Sequence, residues 1–304
     1  MLRSIRHRFK PQEVSRELGA LAGKDMEELT SDDILAIRGV YKRFRVLVLG
    51  PANAGKTTLL ERLSDSPAGA ATVTRDGRRI PEVPRGYSQR GAHRITDEIT
   101  YASNPGFVFH DSGGFEAGAD DEIKAVWNFI RKRSSGSPSE QLHAIWLCIP
   151  ADNSRPFGFL HSGFFSKPTG SVPVIGVFTK LDGRETIELV NLLGADPSPS
   201  DIFQSHSRVQ QRTTNFIEEL QTQFQRLPVP PTAFIRLGNM HKNTEESTAA
   251  CTQLLQITTD ALPTGTLKLL LRITVRNKLR RVKTTTMLQR VLKEAEVQGL
   301  SQAV

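Results

Sequence analysis

Gly50-Pro51-Ala52-Asn53-Ala54-Gly55-Lys56-Thr57 is the stretch whose residue types and spacing promise the most chemistry. Glycines at both ends let a backbone wrap closely enough to aim successive N–H groups at one anion, while a lysine adds positive charge and a threonine hydroxyl offers a hard oxygen to a divalent cation. The pattern GxxxxGK[ST] is that of a P-loop, which cradles nucleotide phosphates, and Leu59 and Leu60 after Thr58 predict a helix rising from it. Lys56 is then expected to neutralise the β and γ phosphates, and Thr57 to hold magnesium. Asn53, Ala54, Gly55, Lys56, Thr57 and Thr58 together supply the expected phosphate contacts.

Two further runs extend this chemistry. Asp111-Ser112-Gly113-Gly114 is a DxxG pattern, in which Asp111 can hold the magnesium shell and the Gly114 N–H can sense a γ-phosphate. Thr179-Lys180-Leu181-Asp182 bears on the base. A carboxylate at Asp182 can accept two hydrogen bonds from the N1–H and 2-amino groups of guanine; adenine lacks both donors, and a polar pocket left half unpaired rejects the wrong ligand strongly. Lys180 is expected to lie along the base and back against the P-loop. Leu237-Gly238-Asn239 stands where a backbone N–H would meet the base oxygen, which adds Gly238 to Thr179, Lys180 and Asp182 as expected nucleotide contacts.

Such residues need a scaffold that brings them together. Phe44 to Leu49, Phe107 to His110, Ala144 to Ile149, Val172 to Phe178 and Ala233 to Leu237 are short apolar runs rich in β-branched residues, the pattern of buried parallel strands. They alternate with helical stretches such as Asp121 to Lys132, which predicts a three-layer α/β domain with a mainly parallel sheet. Ligands of such sheets bind at the carboxyl ends of strands, and each motif above directly follows a strand run. The expected organisation is an N-terminal extension over 1–42, a nucleotide-binding domain over 43–262 and a basic helical tail over 263–304. The extension carries a helix Ser31 to Arg38 capped by Ser31 or Asp32, and Glu98 to Ser103 reads as an edge strand.

Composition narrows the class. With 38% hydrophobic and 24% charged residues the chain is of ordinary globular type, and no run approaches the roughly 18 apolar residues of a membrane span. Cys148 and Cys251 are far apart in apolar surroundings, which predicts small buried hydrophobes in a reducing compartment and a cytoplasmic location. The net charge of +8 is concentrated at one end: from Ala261 to Val304 there are nine Lys and Arg against Glu294 and Glu296. Leu271, Val275, Leu279 and Val282 follow helical spacing between Leu267 and Val291, so this tail either packs its apolar stripe on the domain or lies on an anionic membrane or acidic protein, which would make the protein membrane-peripheral. No basic patch interleaved with aromatics suggests a nucleic-acid partner. Phe157, Phe159, Phe164 and Phe165 read as core or loop packing, with a partner-binding patch as the other reading.

The three motifs, in order and each after a strand, resemble the translation-factor-related GTPases over about residues 43 to 260, including the Era- and septin-like branches. FRVLVLGPANAGKTTLLERL, RGAHRITDEITYASNPGFVFHDSGGFEAG, QLHAIWLCIPADNSRP and VPVIGVFTKLD are similar more narrowly to G-domain-containing proteins abundant in mushroom-forming fungi. Those relatives often carry a basic residue where Pro51 and Gly113 stand here. The resemblance implies the fold and the binding of GTP and GDP with magnesium, and the reading taken from the motifs together is a GTP hydrolase that acts as a nucleotide-dependent switch.

Ras-like enzymes place a water-orienting glutamine straight after DxxG; Phe115 stands there, so slow intrinsic turnover is expected. In Era-like and tRNA-modification GTPases an asparagine placed as Asn53 is can help hold a potassium ion when two G domains form a homodimer; satisfying the loop backbone is the other role open to it. The catalytic set implied is Lys56, Asn53 and Gly114. Thr72, Thr74, Ser88 and Thr96 are the candidates for the magnesium-binding hydroxyl of a first switch, Ser88 and Thr96 being nearest the edge strand and so the two preferred, with Arg85, Arg90 and Arg94 in the same stretch. Two other readings stay open, a GTP-binding scaffold with negligible hydrolysis and a membrane-surface GTPase using the basic tail.

Overall fold

The structure, a computed structural model, describes residues 18–80, 94–113, 120–153, 164–193 and 199–275. Eight strands form one sheet: β1 (Phe44–Leu49), β2 (Ala71–Arg75), β3 (Arg78–Arg79), β4 (Glu98–Tyr101), β5 (Phe107–Asp111), β6 (Ala144–Pro150), β7 (Val174–Thr179) and β8 (Ala233–Arg236). Their order is β3-β2-β4-β5-β1-β6-β7-β8. β5, β1, β6, β7 and β8 run parallel, and β4, β2 and β3 extend the sheet antiparallel beyond β5.

Helices cover both faces. They are α1 (Ser31–Tyr41), α2 (Lys56–Ser64), α3 (Asp120–Ser134), α4 (Leu181–Leu193), α5 (Pro199–Gln225) and α6 (Glu245–Ala261), with a further helical segment at 265–275. Alternation along β1 shows why both faces need cover. Phe44, Val46 and Val48 join a core cluster that includes Leu59 of α2 and Leu254 of α6, whereas Leu47 and Leu49 join one that includes Phe129 of α3 and Phe224 of α5. Every residue of β1 is buried, as a central parallel strand requires. The three-layer α/β architecture expected from the strand runs is the one observed.

Several local expectations change. Helix α1 runs on to Tyr41, and its cap is Thr30 rather than Ser31 or Asp32: the Asp33 N–H donates to Thr30 Oγ1 at 3.1 Å and the Thr30 N–H donates back to Asp33 at 3.0 Å. β4 stops at Tyr101 and is not an edge, because β2 pairs along its far side. The hairpin β2–β3 turns at Asp76 and Gly77, both at positive φ (50° and 77°), the two-residue turn that matches strand twist. Thr72 and Thr74 therefore lie on β2, with β4 and β5 between them and β1, away from the P-loop.

The boundaries expected at 42 and 262 are not boundaries in packing. Leu18, Leu21 and Ile37 before the sheet, and Leu267, Leu271 and Val275 after it, all belong to the cluster that contains Phe44 and Phe107. Thr266 Oγ1 donates to the Leu18 carbonyl at 3.1 Å, and a Cβ on Gly265 would run into the Ala22 carbonyl. Gly106 abuts Thr274 so closely that a Cβ would meet its Cγ2 at 2.9 Å. The apolar stripe of the tail is thus spent on the protein's own core as far as Val275; Leu279 and Val282 lie outside the described residues.

Candidate functional site

Parallel strands β5, β1, β6 and β7 end on one rim, and β1 is flanked by strands reached through connections on opposite sides, the place where α/β sheets open a crevice. A cavity of about 550 Å³ lies there, lined by Ala52, Asn53, Ala54, Gly55, Lys56, Thr57, Thr58, Asp111, Gly113 and Lys180. Three runs spread over more than a hundred residues of chain thus meet at one mouth.

The loop Gly50 to Gly55 is bent by backbone that side chains rarely adopt. Asn53 and Gly55 have φ of 61° and 77°, and a Cβ on Gly50 would lie 2.7 Å from the Cys148 carbonyl oxygen. Lys56 opens α2 and turns its ammonium back into the loop, donating to the Gly50 and Pro51 carbonyls at 2.9 and 3.0 Å. It stands 3.8 Å from Asp111 Oδ1, with both side chains no more than 10% exposed. Asp111 Oδ1 also accepts the Gly113 N–H at 3.2 Å, where φ of 73° suits glycine; the Gly113 place among the lining residues was not anticipated. The Asn53 side chain hydrogen-bonds to none of the described residues, so it does not serve as a brace for its own loop.

Behind the mouth, Thr179 Oγ1 donates to the Ala54 carbonyl at 2.8 Å, and the Ala151 N–H donates to the Thr179 carbonyl at 2.9 Å. Lys180 has φ of 57° and pairs with Asp152 Oδ2 at 3.0 Å. Asp152 belongs to none of the three sequence motifs, although its place just past strand β6 is a signal for it. Gly183 makes room for it, since a Cβ there would meet the Asp152 Cβ at 2.9 Å.

Asp182 sits in the first turn of α4, off the cavity lining. Its Oδ1 accepts the Asn239 N–H at 2.8 Å, and Oδ2 lies 3.9 Å from His241 Nδ1. This alters the expectation for the loop after β8: the Asn239 amide faces the Asp182 carboxylate, not open space for a base oxygen. Gly238 is pressed beside Asp182, with a Cβ position 3.8 Å from Oδ1.

Toward the start of β1 lies a partly buried polar network. Arg45 donates to Glu98 Oε1 at 2.7 Å and to the Ser139 carbonyl at 3.3 Å, while Arg43 reaches Glu98 Oε2 at 3.0 Å. Burial pushes the Glu98 carboxyl up, but the Arg45 charge and hydrogen bond, aided by Arg43, outweigh it and hold the group below its ordinary value. His110 Nδ1 faces the carbonyls of Asp97 (2.9 Å) and Ile95 (3.1 Å), so that nitrogen carries the proton and Nε2 accepts from Arg45 at 3.4 Å. Burial, then the Arg45 charge, lower His110 to about 4. The same two causes lower His143 to about 3, and its Nδ1 accepts the Arg45 N–H at 2.9 Å. Burial lifts the Cys148 thiol to about 12, which removes it as a nucleophile.

Of the first-switch candidates, Thr96 is exposed in the turn Arg94 to Asp97, off the cavity lining; Ser88, Arg85 and Arg90 lie outside the described residues. Gly114, Phe115, Phe157 and Phe159 do too, whereas Phe164 and Phe165 are buried in the second core cluster as packing residues. Among the described residues no helix is long and apolar enough to cross a membrane.

No family model matches the chain, and no curated protein does. Solved structures do match. One, described as a crystal structure of a mutation variant of SsGBP, is 13% identical, with the match covering 84% of this chain, 65% of that one and a TM-score of 0.33. The chain thus spans less than two thirds of that protein's length, and a likeness so distant says nothing of what this site binds.

Proposed function

We propose that the protein binds guanine nucleotides with magnesium and acts as a slow GTP hydrolase whose nucleotide state switches a partner interaction. The observation that carries this reading is the convergence of Lys56, Thr57, Asp111 and Lys180 on one cavity at the carboxyl rim of the sheet, with Asp182 just beyond it. A hydroxyl and a single buried carboxylate suit magnesium, which is held by one or two carboxylates together with phosphate oxygens and water. Thr57 and Asp111 would hold the ion, which would neutralise charge on those oxygens. Lys56 exchanges the Gly50 and Pro51 carbonyls for phosphate at little cost in position, because it already points into the loop. Phe115 in place of a glutamine favours slow turnover.

The deciding experiment measures binding and turnover of GTP and ATP by the full chain in potassium and in sodium buffer. Tight GTP binding, weak ATP binding and slow phosphate release support the reading. Equal affinity for the two nucleotides removes the guanine assignment, and zero multiple turnover leaves a GTP-binding scaffold. Turnover equal in both cations at every protein concentration rules out a potassium role for Asn53 and the homodimer that goes with it.

A further inference from the structure

Arg62 lies in the last turn of α2, six residues beyond Lys56 and so about 9 Å further along the same helix. Its guanidinium reaches across to the loop after β8: Nε donates to the Met240 carbonyl at 3.2 Å, Nη2 to the His241 carbonyl at 3.3 Å and Nη1 to Asn243 Oδ1 at 2.7 Å. That loop is otherwise held by its own short contacts, the Lys242 N–H on the Asn239 carbonyl (2.9 Å) and Ser247 Oγ on the Lys242 carbonyl (2.9 Å). Its leading residue, Asn239, is the one whose N–H meets Asp182 Oδ1 at 2.8 Å.

Building on the guanine-nucleotide reading above, we propose that Arg62 is a positioning residue for base recognition, tying the phosphate-binding helix to the loop that orients the Asp182 carboxylate. One rigid two-and-a-half-turn helix then carries phosphate contacts at its start and the base-side brace at its end. The distance between the two halves of the ligand is thereby fixed by the helix rather than by loop packing. A planar guanidinium spreads its N–H donors over three nitrogens in a fixed fork that spans these three acceptors, whereas the three donors of a lysine ammonium radiate from a single nitrogen.

The test compares ligands that use both halves of the site with one that uses only the phosphate half. Wild type, Arg62→Ala, Arg62→Lys and Asn243→Ala are titrated with GDP, ADP and inorganic tripolyphosphate in magnesium, and their thermal unfolding is followed. A positioning role predicts that Arg62→Ala weakens GDP roughly tenfold to a hundredfold. Tripolyphosphate affinity stays the same, so the GDP-to-ADP preference collapses; Arg62→Lys falls between, and Asn243→Ala costs less than either. Equal losses for GDP and tripolyphosphate, or unchanged GDP affinity, overturn it, because a purely structural brace would not act on the base alone. If Arg62→Ala does not fold, the same comparison on Arg62→Lys decides. A wild type that binds tripolyphosphate but prefers neither purine overturns the guanine reading itself, and the brace with it.

Discussion

The hydroxyl of Thr179 gives its hydrogen bond to the Ala54 carbonyl, 2.8 Å away and 125 residues earlier, with both residues almost wholly buried. The end of β7 is thereby fastened to the loop that follows β1. Replacing Thr179 with valine keeps the shape and leaves a buried carbonyl unpaired, which costs about 1–3 kcal/mol. Urea unfolding of Thr179→Val is expected to show that loss, and calorimetry a weaker GTP affinity; a variant equal to wild type in both would mean the link does not position the loop.

Lys56 is packed against carbonyls and is less than a tenth exposed, so no solvent-borne lysine can replace it. Lys56→Ala is expected to lose about 1.5–3 kcal/mol of triphosphate affinity, the range for hydrogen bonds to charged groups. That is roughly a tenfold to hundredfold rise in Kd, measured by titration with GTP.

Asp182→Asn retains an oxygen for the Asn239 N–H, so the loop after β8 should keep its place. The amide also brings donors where guanine presents its own, and 2-oxo purines present acceptors. Binding assays should therefore show GTP affinity falling and xanthosine triphosphate affinity rising, with the thermal unfolding midpoint little changed.

Both buried histidines make stability depend on pH in the same direction. Each is neutral in the fold, with its value lowered from 6.5 to about 4 for His110 and about 3 for His143, so in mildly acidic solution the unfolded chain binds the extra protons. Stability is then full above about pH 6.5 and declines as pH falls toward those lowered values, by at most on the order of 3 kcal/mol for His110 and on the order of 5 kcal/mol for His143. Thermal unfolding between pH 8 and pH 4 should show the decline, and His143→Phe, which removes one titrating group, should flatten it. An unfolding midpoint independent of pH over that range would contradict the buried neutral state.

Much of this was legible because apolar runs and loop motifs are local. β1, β5, β6 and β7 each announce themselves by burial on both faces, and the residues after them follow by position alone. The hairpin β2–β3 is less visible because Thr and Arg dilute its apolar signal, leaving Asp76-Gly77 as its local cue. What stayed hidden is contact between polar groups far apart in the chain. Nothing near Arg62 announces the carbonyls of Met240 and His241, and nothing near Asp182 announces that the Asn239 amide would claim one of its oxygens. The helical segment 265–275 was masked differently: its charge suggested a surface element, while its leucines were needed to close the core over Phe44 and Phe107.

Thr274 rests on Gly106, at the start of β5, while the P-loop leaves the far end of neighbouring β1. The six residues of that strand set these two places about 20 Å apart along the sheet. Val275 therefore lies near the pole opposite the cavity mouth. A partner held at that pole would leave the opposite rim, where the cavity opens, uncovered, as a mooring at the stern leaves the bow free.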